Sequence, residues 1–224
     1  MRCEGMNLDF SQIVPSIPFI LEGIGATLKF VSVSILFGLL LGTILALCKI
    51  SNKKWFKWPA DIYTSIFRGT PLILQLMIIH YAIPQLFLYD IPVFLSAVLA
   101  FGLNSAAYVS EIIRAGIMAV DKGQVEAAEA LGVPYPSMMV NIILPQALKN
   151  ILPAMMNEFI TLTKESALVS TIGYMDLMRR AEIVGAQLYR NFEPLLFAGI
   201  IYWVMIFILT NIGSWVERRM RQSD

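Results

Sequence analysis

The chain has 224 residues, of which 57% are hydrophobic and 15% charged, with a formal net charge of +1 and a mean hydropathy of +0.68. Soluble domains carry roughly a quarter charged residues, so this composition excludes an ordinary soluble domain, and the near-neutral balance gives no case for nucleic acid. Several long apolar runs instead predict one polytopic, all-α membrane domain over residues 1–224.

Residues 1–17 read as a short interfacial lead-in. They lack the basic, apolar and small-residue order of a cleaved signal peptide. Cys3 and Cys48 offer neither a disulfide framework nor metal-ligand spacing. A first span is predicted over residues 19–48, built on the uncharged run between Lys29 and Lys49, with Gly38 and Gly42 four apart and suited to close helix packing. Lys53, Lys54 and Lys57 beside Trp55 and Trp58 then place a loop at the cytoplasmic surface. A second span, 59–83, carries Arg68 and is interrupted at Gly69 and Pro71, and its exit loop has no Lys or Arg. The third, 92–117, contains Asn104, Ser105, Tyr108 and Ser110.

The fourth span, 146–172, holds Asn157, Glu158, Thr161, Thr163, Lys164, Glu165 and Ser166. Hydropathy alone would miss it, and its ionisable groups must face protein or water, because charge in hydrocarbon costs several kcal/mol. An outer loop with a short helix follows. Its Arg179, Arg180 and Arg190 run against the basic-inside trend. The fifth span, 194–217, is free of charge from Pro194 to Val216 and closes on Arg218, Arg219 and Arg221. Five spans with the N-terminus outside and the C-terminus cytoplasmic satisfy most of the loops.

Between spans three and four, residues 121–145 form a polar interruption. Asp121 can cap a helix starting at Lys122. Val125, Ala128 and Leu131 recur at spacings of three on one face. Gly132 suits a helix end, and Pro134 and Pro136 oppose its resumption. Ala127, Ala128 and Ala130, beside Glu126 and Glu129, would form a small-residue surface with charge to offer a partner. On the residues alone, an amphipathic connector is the simpler account.

Glu126-Ala127-Ala128, three residues, Gly132, nine residues and then Ile142-x-Leu144-Pro145 resembles the coupling-loop signature of bacterial ABC importer permeases, over about twenty positions with no departure. Phe67 to Gln75 (FRGTPLILQ), Ala106 to Ile117 (AAYVSEIIRAGI) and Gly123-Gln124 resemble the polar amino-acid branch of that family. The resemblance covers nearly the whole chain. It implies five transmembrane helices in the type I importer permease (MetI-like) fold, in a bacterial cytoplasmic membrane. It implies that Gln124, Glu126, Ala127, Ala128 and Gly132 engage a separate ATPase chain that holds ATP and Mg. It further implies a second permease copy or sister permease, an extracytoplasmic substrate-binding protein and a polar amino acid as cargo.

Within span four, Asn157, Thr161, Lys164, Glu165 and Leu168 recur at three and four positions and so share a stripe. Lys164 and Glu165 supply both signs that a zwitterion requires. Asn104 and Tyr108, one turn apart on span three, are further substrate candidates. The alternative, that these charges only pair with neighbouring spans, has equal standing on the residues. Glu111, Arg114 and Arg68 are read as pairing or snorkelling groups, His80 is given no site role, and the methionines are filler. No glycine-rich loop ending in Gly-Lys-Ser or Gly-Lys-Thr occurs and no catalytic set is present, so the chain itself is expected not to be an enzyme and to hold no cofactor or metal. Two other readings stand beside the importer. A secondary transporter would require paired repeats, and a membrane scaffold would leave the polar stripe unexplained.

Overall fold

A computed structural model describes residues 8–51 and 53–221. The first part of the expected lead-in, including Cys3, and Asn52 of the basic loop lie outside the described residues. Among the described residues every regular element is helical. After a 3₁₀ turn at Phe10–Ser16, α1 runs Ile17–Ile50, α2 Lys54–Gly69, α3 Leu72–Met77, α4 Ile83–Phe87 and α5 Val93–Met118. Then follow α6 (Lys122–Ala130), α7 (Tyr135–Met138), α8 (Leu144–Glu165), α9 (Leu177–Leu188) and α10 (Phe192–Arg221).

Among the described residues three single helical stretches are long and apolar enough to cross a membrane: Phe10–Ile50, Val93–Met118 and Phe192–Met220. At 34 residues, α1 is about 51 Å long and exceeds a ~30 Å hydrocarbon layer. The stretch expected as span two is two helical arms, Lys54–Gly69 and Leu72–Phe87, bent by 103°. α8 is not among the apolar stretches, but its 22 residues give about 33 Å of helix.

Small residues set the central packing. A Cβ added at Gly38 would lie 2.9 Å from Ser105 Cβ, and one at Gly42 would lie 2.7 Å from Val109 Cγ1. The backbones of α1 and α5 approach that closely because those positions carry no side chain. The main core lies around this seam, where Phe30 and Phe101 meet edge-to-face at 4.8 Å and Leu76, Ala97, Leu162 and Val169 close around them. A second cluster pins α9 between α1 and α10 through Ile20, Leu177, Ala181, Val184 and Ile201.

Two turns widen to π geometry, Ile78–Ala82 and Met139–Ile143. Each ends two residues before a proline, Pro84 and Pro145. A proline cannot donate to the carbonyl one turn back and its ring crowds that carbonyl, so an extra residue in the turn relieves the clash. The consequence at Pro145 is continuity. The second short helix of the polar segment runs through its π turn directly into α8, instead of standing apart from it.

Candidate functional site

The segment between α5 and α8 folds into a small helical hairpin with its own hydrophobic base. Asp121 Oδ1 accepts from the Gly123 N–H at 2.6 Å and caps α6. At the other end, the Val133 N–H donates to the Ala128 carbonyl and the Gly132 N–H to the Glu129 carbonyl, each at 2.9 Å. This is the paired closure of a helix that ends on a left-handed residue. Gly132 supplies it, with φ +71°, a region that side chains with a Cβ enter at a cost of about 1–2 kcal/mol. Below, Ala128, Met138 and Ile143 form a buried cluster closed by Ile117, Val120 and Val125. The hairpin therefore stands on the end of α5 and the start of α8.

The five residues expected at the ATPase surface divide on this fold. Gln124, Glu126, Ala127 and Gly132 are exposed. Ala128 is 2% exposed and belongs to the base. Leu131 also departs from the face it was expected to share with Val125 and Ala128. α6 stops at Ala130, so Leu131 takes the cap conformation (φ −84°, ψ 0°) and is 83% exposed.

The break between α2 and α3 explains where Asn104 goes. The Phe67 carbonyl oxygen would accept from the N–H four residues on, but that residue is Pro71 and has no N–H. The Asn104 side-chain amide donates to that oxygen at 3.1 Å and the Gln75 amide at 2.9 Å. Asn104 also donates to Gln75 Oε1 at 3.1 Å. Gln75 in turn donates to Thr70 O and Oγ1. One buried amide pair thus satisfies a chain reversal that hydrocarbon would not tolerate.

On α8, Asn157, Thr161 and Lys164 are exposed and Glu165 is half-buried. The Thr161 hydroxyl donates to the Asn157 carbonyl at 2.9 Å, and α8 ends at Glu165 before a tighter 3₁₀ turn over Ser166–Ile172. Tyr108 lies under the Arg68 guanidinium, 5.3 Å from ring centroid to Cζ. Both line a cavity of about 560 Å³ that reaches Glu111 on α5 and Lys149 and Asn150 on α8. Of the six substrate candidates, only Tyr108 lines it. The structure therefore distributes them over the α8 stripe, the helix break and this cavity.

Two groups were not singled out by spacing. Glu158 is 9% exposed on α8 and accepts from the Ser105 hydroxyl of α5 at 3.0 Å. Its signal was a carboxylate one turn from Leu162 on the inner face of an otherwise polar-striped helix. Lys49, 6% exposed, pairs with Glu111, lies 3.5 Å from Asp61 and donates to Thr64 Oγ1 at 2.6 Å. Arg114 completes the set at 2.7 Å from Glu111. Two cations and two carboxylates tie α1, α2 and α5 together. Among the described residues no His, Cys, Asp and Glu grouping could hold a metal ion.

Comparison with known proteins gives consistent matches. Residues 38–222 match the family described as binding-protein-dependent transport system inner membrane component. The arginine transport system permease protein ArtQ of Bacillus subtilis (strain 168) is 61% identical over 219 residues, covering 98% of this chain and 100% of that protein. Among solved structures, an amino acid ABC transporter crystallised with histidines superposes with a TM-score of 0.92 at 45% identity, covering 96% of this chain and 100% of that one. An inward-facing MetNI methionine ABC transporter gives 0.77 at 18% identity, with 92% and 98% covered, and speaks to the fold alone.

Proposed function

The chain belongs to the family of inner membrane components of binding-protein-dependent transport systems, and from that premise we propose that it is the permease subunit of an ATP-driven ABC importer for a polar amino acid. The fold is the MetI-like fold of type I importer permeases. The observation that carries the reading is the hairpin of α6 and α7, a rigid exposed element rooted by Ala128, Met138 and Ile143 in the ends of two membrane helices.

In this reading the exposed residues Gln124, Glu126 and Ala127 meet a groove on a separate ATPase chain, Glu126 accepts a basic partner, and Ala128 holds the lever on its base. The chain's own residues do not fit nucleotide, since it has no phosphate-cradling glycine loop. ATP and Mg belong to the partner. Five helices cross the cytoplasmic membrane, α8 among them, with the N-terminus outside and the hairpin and C-terminus in the cytosol. The stripe of exposed Asn157, Thr161 and Lys164 with half-buried Glu165 then faces a second permease, and substrate passes between the two. Asn104 and Tyr108 support that path from the α2–α3 break and the adjoining cavity. A substrate-binding protein delivers the ligand outside, and closure of the ATPases tilts α5 and α8 through the hairpin to alternate access.

Arginine transport by the 61%-identical relative supports a polar amino acid as cargo. The test is purification of the tagged chain from membranes, with recovery of an ATPase subunit whose turnover rises when a loaded extracytoplasmic binding protein is added. Recovery without an ATPase, or turnover indifferent to that protein, would refute the assignment.

A further inference from the structure

The part of α2 that precedes Pro59 takes no part in the hairpin, the stripe or the helix break. α2 has two unlike ends. Its C-terminal half is fastened to the bundle: Ala60 and Thr64 are buried, Lys49 reaches Thr64 and Asp61, and the Tyr63 hydroxyl donates to the Leu103 carbonyl at 2.8 Å. Its N-terminal half is not. Trp55 is 91% exposed, Trp58 70% and Phe56 53%. Lys53, Lys54 and Lys57 are exposed as well. Among the described residues none of their ammonium groups has a carboxylate within 4 Å.

Lys54, Trp55, Trp58 and Pro59 line an open recess of about 410 Å³. No acidic residue occurs from Ser51 to Ala60, and Asp61, the first to follow, lies beside Lys49. This recess sits where the long apolar helix α1 ends at Ile50, on an arm set at 103° to α3–α4. Three exposed ammonium groups with no carboxylate within 4 Å, of which Lys57 also borders a recess shared with Asp61 and Glu111, call for an anion. Two bare indoles and a phenyl ring at the end of a membrane span call for the boundary between headgroups and acyl chains. An acidic soluble partner would meet the first demand and leave the second to water. A zwitterionic lipid would meet the second and leave the lysines unmatched.

We propose that the N-terminal half of α2 holds an anionic phospholipid headgroup, with Lys53, Lys54 and Lys57 around its phosphate and Trp55 and Trp58 at the level of its glycerol. The bound lipid secures the cytoplasmic arm of α2, whose other end is the break capped by Asn104. The proposal depends on the orientation given above only for which leaflet supplies the lipid. The assay below reads headgroup charge from either leaflet, so a wrong orientation and a missing site give different results.

The test uses the full chain with Trp203→Phe and Trp215→Phe, which leaves Trp55 and Trp58 as the sole indoles of the four in the chain. Both replaced residues are more than half exposed, so phenylalanine fits there. Fluorescence is quenched in vesicles containing brominated phosphatidylglycerol or brominated phosphatidylcholine at equal mole fraction. The expected result is a preference for phosphatidylglycerol of about five-fold or more, since each lysine near a membrane surface adds about that factor, falling as salt is raised. The Lys53→Gln, Lys54→Gln, Lys57→Gln triple variant loses the preference and the corresponding Lys→Arg triple variant keeps it. Equal quenching by the two lipids, or a preference that survives in the glutamine variant, overturns the proposal.

Discussion

Asn104→Leu tests the physical account of the helix break. The substitution keeps the branched shape of the side chain but replaces its amide with an apolar group, which removes two donated hydrogen bonds, to Phe67 O at 3.1 Å and to Gln75 Oε1 at 3.1 Å. Phe67 O retains its bond from the Gln75 amide at 2.9 Å, whereas Gln75 Oε1 is left without that donor. A buried polar group deprived of its partner costs about 1–3 kcal/mol. Hydrogen bonds between membrane helices average nearer 0.6 kcal/mol, because a chain unfolded within the bilayer also finds partners. Weighing both, we expect Asn104→Leu to destabilise by about 1–2 kcal/mol, read as a shift in the unfolding midpoint on titration with a denaturing detergent. Gln75→Leu removes donors to Phe67 O and to both Thr70 oxygens and should cost more. The double variant should fall short of the sum by about 1 kcal/mol, since each residue's loss already disables the other. Strict additivity, or an unshifted midpoint for Asn104→Leu, would refute the idea that this amide pair replaces the N–H that Pro71 lacks.

Three further outcomes are expected. Gly42→Val places a side chain where a Cβ alone would stand 2.7 Å from Val109, so it should cost about 1–3 kcal/mol through overpacking; a Val109→Ala change should recover part of the loss in the same titration. Glu111→Leu leaves the 6%-exposed Lys49 with Asp61 at 3.5 Å as its remaining carboxylate and should destabilise by about 3 kcal/mol, with Glu111→Asp substantially milder. Joint replacement of Lys164 and Glu165 by Ala should cut substrate uptake in proteoliposomes about ten-fold or more while leaving ATPase recovery intact; unchanged uptake and unchanged substrate-stimulated turnover would remove those residues from the substrate path.

The long elements could be read from the chain because their signals are local. A run of uncharged residues closed by lysines or arginines reports α1 and α10, and Asp121 with Gly132 reports both ends of α6. What could not be read depends on residues distant in sequence. Pro71 announces an interruption, but the 103° angle requires Asn104 and Gln75 to satisfy Phe67 O, and their separation in sequence gives no hint of that meeting. Asn104 looks like a ligand group when only its polarity is known, and its amide is engaged at the break once the fold is known. Ala128 was indistinguishable from Ala127 by composition, yet packing of α6 over Met138 and Ile143 buries Ala128 and leaves Ala127 exposed. The continuity of α7 into α8 was obscured because Pro145 ordinarily signals a start, and the π turn that lets a helix pass through it has no sequence period of its own. Lys49 stood as one more basic residue at a span end until Glu111 and Asp61 arrived from two other helices.

The most direct test of the lever is Gly132→Asp in proteoliposomes holding the permease with its ATPase, with uptake and ATP turnover followed side by side. A Cβ at Gly132 meets nothing within 4 Å, and the left-handed backbone, at φ +71°, adds a cost of only about 1–2 kcal/mol. The chain should therefore remain inserted, and what changes is the angle at which the hairpin meets its partner. The account predicts that uptake falls at least ten-fold while ATP hydrolysis continues. Uptake at the normal rate would contradict it.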